Sequence, residues 1–63
     1  MTRSVTHVWA EGVRHGMHAY RPNRVREVEL EKSKPKSEAI EDAYTTGYRV
    51  GWMLAQIEEE KAR

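Results

Sequence analysis

The sequence predicts an all-α protein, a two-helix hairpin with close Gly-x-x-x-Gly helix packing and an extended or irregular linker, expected to be dimeric. Three observations carry this. Apolar and small residues recur at helical spacing in two blocks, the blocks repeat one another at a constant offset of 35 residues, and the glycines lie on the apolar face of both. The repeat aligns Trp9-Ala10-Glu11-Gly12-Val13-Arg14-His15-Gly16-Met17 with Tyr44-Thr45-Thr46-Gly47-Tyr48-Arg49-Val50-Gly51-Trp52, so that aromatic, Gly, Arg and Gly fall in register.

In the first block Val5, Val8, Trp9, Gly12, Val13, Gly16, Met17 and Tyr20 follow the spacing i, i+3, i+4, i+7, i+8. That is one face of an α-helix, here over about residues 4–20. Thr2 or Ser4 can cap its start, and Tyr20 leads into Arg21-Pro22-Asn23, where the residue before proline is pushed out of the helical region. The linker, about 21–36, carries Val25, Val28 and Leu30 among charges. Val28 and Leu30 alternate with Glu27, Glu29 and Glu31 as in a short extended segment, but a lone strand has no sheet to join. An irregular or extended linker is therefore expected.

The second helix, about 37–60, repeats the face with Ile40, Ala43, Tyr44, Gly47, Tyr48, Gly51, Trp52 and Ala55. Ser37 is a good N-cap residue, and Glu38, Glu41 and Asp42 set negative charge against the positive end of the helix dipole.

Glycine inside a helix costs roughly 0.5 to 1 kcal/mol relative to alanine. This chain accepts the cost four times, at Gly12, Gly16, Gly47 and Gly51. Two backbones without Cβ atoms can approach closely, with Trp9, Tyr44, Tyr48 and Trp52 lying over the opposing glycines. The alternative is that the glycines serve a kink or the approach of a ligand.

With 63 residues the chain makes one domain, and its core can supply only a few kcal/mol of net stability. There is no cysteine, so neither disulfides nor thiolate zinc sites can staple it. Self-association or docking on a partner remains. The net charge of +1 lacks the excess that marks a nucleic-acid binder. No run approaches the roughly 20 apolar residues of a membrane span, and no signal-peptide pattern opens the chain, so a cytoplasmic location is expected.

Two surfaces could carry function. At about 100° per residue, Arg3, His7, Arg14, His18 and Arg21 form one stripe opposite the apolar face of the first helix, continued by Arg24 and Arg26. Such a stripe can follow a phosphate backbone or an acidic protein, or simply be a solvated helix face. On the second helix Val50, Met53, Leu54 and Ile57 form a second apolar stripe that one helix partner cannot cover. It must meet the linker residues Val25, Val28 and Leu30, a second copy of the chain, or another protein. His7, His15 and His18 have only Glu11 as a nearby acid, so no metal site is expected. No phosphate-binding glycine loop or Ser-His-Asp spacing is present, and neither catalysis nor a cofactor is expected.

At the paired glycines the chain resembles the ribosome modulation factor family, whose short members pair two helices. The first helix carries Gly-x-x-x-Gly, here Gly12 and Gly16; the second carries aromatic-x-x-Gly-aromatic followed by Arg, here Tyr44, Gly47, Tyr48 and Arg49. The match covers both helices but not the linker, which is longer and lacks the family's Cys-Pro-Tyr element. The resemblance implies binding to the small ribosomal subunit, through ribosomal RNA, to hold ribosomes inactive. The first reading is a non-enzymatic RNA or ribosome binder that places the arginines on phosphates; the alternative is a protein-binding inhibitor or adaptor of phage type anchored by the Val50 stripe.

Overall fold

The structure, a computed structural model, describes residues 4–62. Arg3, the first residue of the basic stripe, lies outside the described residues. Among the described residues the chain forms three helices, α1 (Val5–Ala19), α2 (Arg26–Ser33) and α3 (Glu38–Lys61).

Each helix begins and ends for a local reason. The Ser4 hydroxyl accepts from the His7 amide at 3.1 Å, satisfying one of the unpaired amides at the start of α1. A cap of this kind contributes about 1 kcal/mol. At the other end the Tyr20 amide bonds the Gly16 carbonyl, and the Arg21 guanidinium donates to the carbonyl oxygens of His18 and Tyr20. Pro22 follows and prevents continuation. Ser37 occupies the N-cap position of α3, but its side chain makes no capping bond; its backbone carbonyl accepts from the Ile40 and Glu41 amides instead.

The expected irregular linker is corrected by α2. Its alternation rested on two apolar residues, whereas Glu, Leu and Lys are good helix formers. Glu27 and Glu29 stand in its first turn and Lys32 in its last, each matching the helix dipole. Only Leu30 of this helix is buried; Val25 and Val28 face outward.

The expected hairpin is also corrected, because α1 and α3 run parallel. A Cβ built on Gly12 would overlap the Tyr44 carbonyl oxygen and stand 2.9 Å from the Tyr48 amide nitrogen. On Gly16 it would overlap the Tyr48 carbonyl oxygen and stand 3.0 Å from the Trp52 nitrogen. Gly47 and Gly51 meet the carbonyls of Trp9 and Val13 in the same manner. Contacts therefore advance together along both helices, at the spacing of the repeat. A short loop would force antiparallel neighbours. This connection must instead return the length of α1, about 22 Å at 1.5 Å per residue. The helix α2 makes that return, with Glu27 paired to Arg49 and Lys34 to Glu41, so it runs opposite to α3.

The core is a column of aromatic rings on one side of the helix pair. Val8, Leu30, Tyr44, Tyr48 and Trp52 are its buried members. Tyr48 and Trp52 stack with ring centroids 6.2 Å apart, and Tyr20 meets Trp52 edge-on at 5.2 Å. Pairs of this kind add about 0.5–1.5 kcal/mol beyond the area they bury.

Candidate functional site

The glycine contacts are reciprocal. Gly12 meets Tyr44 as Gly47 meets Trp9, and Gly16 meets Tyr48 as Gly51 meets Val13. The α1–α3 pair thus has a local twofold relation along its length, and with it two equivalent faces. One is built on Tyr44, Tyr48 and Trp52 with Val8; the other on Trp9, Val13 and Met17 with Ala43 and Val50.

Only the first face is covered. Leu30 of α2 packs on it, and Ser33 reaches the Tyr48 hydroxyl. Burial separates the equivalent residues sharply: Tyr44 is 3% exposed and Trp9 40%, Trp52 is 6% and Met17 44%. The stripe proposed from α3 belongs to this open face, with Met53, Leu54 and Ile57 exposed and Val50 half-buried. From the linker, Arg26 shares a shallow groove with Val50 and Met53, while Met53, Leu54 and Ile57 stay exposed and Leu30 packs on the other face.

From α1, Val5, Trp9, Val13 and Met17 line the open face; Thr6, Ala10, Ala39 and Thr46 complete it, with Asp42 lining its groove. Arg14, Asp42 and Arg49 stand at its margins. A shallow groove of about 550 Å³ marks its N-terminal half, between Val5 and Trp9 on one side and Ala39, Ala43 and Thr46 on the other. Monomeric proteins rarely expose contiguous apolar patches beyond a few hundred Å².

The basic stripe is divided by the structure. His7, Arg14 and His18 are exposed on the outer side of α1, and among the described residues Arg14 has no acidic partner. Arg24 pairs with Glu29 at 3.4 Å and Arg26 with Glu27 at 2.7 Å, while Arg21 is turned onto its own chain's carbonyls. The guanidiniums of Arg49 and then Arg26 hold the Glu27 carboxyl below the usual carboxylate range. Glu31 and Glu41 raise the Lys34 ammonium above the ordinary lysine value. Burial raises the Tyr48 hydroxyl, partly offset by the Ser33 hydroxyl. His15 is engaged through Nδ1 by the Tyr44 hydroxyl at 2.8 Å. Among the described residues no three His or acidic side chains gather as metal ligands.

Trp9 meets Gly47 through its carbonyl, in the helix contact where the sequence places it, and its side chain is also 40% exposed beside Met17, a surface the sequence reading did not single out. The repeat itself held the signal, since two equivalent helices present two equivalent faces and one short linker covers one of them.

Fold and surfaces define a small all-helical chain built on an internal repeat; no described helix is long and apolar enough to cross a membrane. No protein family, characterised protein or solved structure was found to match it.

Proposed function

We propose that this chain is a non-enzymatic regulatory binding protein that docks a protein on the open α1–α3 face. The observation that carries the reading is the exposure of Trp9 and Met17 where their equivalents Tyr44 and Trp52 are buried. A mainly apolar face bordered by Asp42, Arg14 and Arg49 has the anatomy of an interface core and its rim. Trp9 is the residue type most often found as a binding hot spot. The work is that of an inhibitor or adaptor, placed in the cytoplasm, and requires no cofactor.

Ribosome or ribosomal RNA binding is the second reading. Exposed His7, Arg14 and His18 favour it, together with the resemblance at Gly12, Gly16, Tyr44, Gly47, Tyr48 and Arg49. It is weaker because Arg24 and Arg26 are engaged by Glu29 and Glu27, which they share with Lys32 and Arg49.

A pull-down from bacterial lysate at low and high salt, with wild type, Leu54→Glu and Arg14→Glu, separates the two. The protein-docking reading expects a salt-resistant partner that Leu54→Glu loses and Arg14→Glu keeps. Ribosomal RNA released by salt and lost in Arg14→Glu would overturn it, since phosphate contacts weaken steeply with salt.

A further inference from the structure

We propose that the open face is covered by a second copy of this chain, giving a face-to-face homodimer with four helices in its centre. The inference rests on the reading of that face as a protein interface and names its occupant.

Three observations select a second copy. The first is size. The exposed parts of Val5, Trp9, Met17, Met53, Leu54 and Ile57, with the smaller residues between them, make a face on the order of 700 Å². Each partner of a standard interface contributes about 800 Å², whereas a single short helix such as α2 covers its own face essentially through Leu30. The second observation is chemistry. The face is mainly apolar, with Asp42 at its N-terminal groove and Arg26 and Arg49 beside Val50 and Met53, and apolar, self-matching patches are what closed twofold dimers use. Shape is the third. The N-terminal half is the hollow between Val5 and Trp9 and the Ala39, Asp42, Ala43 and Thr46 side, and the C-terminal half carries the exposed long side chains of Met17, Leu54 and Ile57, with Met53 in a second groove beside Arg49. A copy turned end for end sets the raised half of each protomer into the hollow of the other, twice by symmetry.

The dimer leaves α2 and the outer side of α1 at the surface. His7, Arg14 and His18 would then be displayed once on each protomer, free for a further partner.

The test uses the full chain and reads mass and Trp9 together. Sedimentation from low to high micromolar concentration gives the mass; emission of a Trp52→Phe variant reports Trp9 alone. If that variant fails to fold, oxidative labelling of Met17 and Met53 in the wild-type chain replaces the emission. The expected result is a dimer whose formation shifts Trp9 emission to the blue, with Leu54→Glu weakening association by roughly 100-fold or more at unchanged helicity. A monomer at all concentrations with Trp9 open to quencher would overturn the second copy while leaving protein docking on that face intact. A monomer with Trp9 shielded would overturn both. A dimer indifferent to Leu54→Glu would show that another surface associates and would overturn the inference.

Discussion

Replacing Gly51 with alanine sets two effects of known size against each other. On an isolated helix alanine is favoured over glycine by roughly 0.5 to 1 kcal/mol. In this fold the added Cβ would overlap the Val13 carbonyl oxygen and stand 2.7 Å from its carbon and 3.0 Å from the Met17 amide nitrogen. These are backbone atoms of α1, which no rotamer change can move aside. The helices must therefore part, and the contacts that run along α1 on both sides of Gly51 loosen with them. Forced overpacking costs about 1–3 kcal/mol, so the clash outweighs propensity and the net effect is destabilising by about 1–2 kcal/mol. In a domain of this size that lowers Tm by on the order of 10 °C. Thermal melts followed by far-UV circular dichroism, at one fixed protein concentration, measure it. A Tm equal to or above wild type would refute the close backbone approach, because the helix propensity of alanine would then be the only effect left.

Leu30→Ala should destabilise by about 2–4 kcal/mol, since Leu30 is the one buried residue α2 gives to the core; Val28→Ala, outward-facing, should stay within about 0.5 kcal/mol in denaturant melts. Alkaline titration should unfold the chain progressively. Tyr48 and Lys34 both have raised folded values, so their stabilisation is complete below the ordinary values of 10.0 and 10.5 and is lost as pH rises through the folded ones. Tyrosinate absorbance rising together with loss of helicity checks this, and full Tyr48 ionisation with helicity intact would contradict it. In dilute solution a neutral quencher should reach Trp9 and spare Trp52. Equal quenching of Trp52→Phe and Trp9→Phe would contradict the difference between the two faces.

Much of this fold was legible in the residues, and what was not has a physical cause. The spacing from Val5 to Tyr20 and from Ile40 to Ala55 marks both long helices, and Ser4 and Pro22 mark the ends of the first within a residue or two. Their direction was harder to read. Gly-x-x-x-Gly is nearly symmetric under reversal, so the motif specifies closeness and leaves orientation open. What settles orientation is a connection long enough to return the length of α1, which requires α2, and α2 was hidden by an apparent alternation of Val28 and Leu30. The same omission left Glu27 and Glu29 of α2 out of the basic stripe, where they pair with Arg26 and Arg24. The Val50 stripe was visible on α3 alone. Its continuation through Trp9, Val13 and Met17 depends on the parallel register and could not be seen from either helix by itself.

The parallel register creates the two equivalent faces, and one nuclear Overhauser experiment on labelled chain diluted into an excess of unlabelled chain, isotope-edited to retain contacts within the labelled chain, tests it most directly. Cross-peaks from Gly12 to Tyr44 and from Gly16 to Trp52 are expected. Gly12 to Trp52 and Gly16 to Tyr44 instead would establish an antiparallel hairpin, with no open face of the kind described.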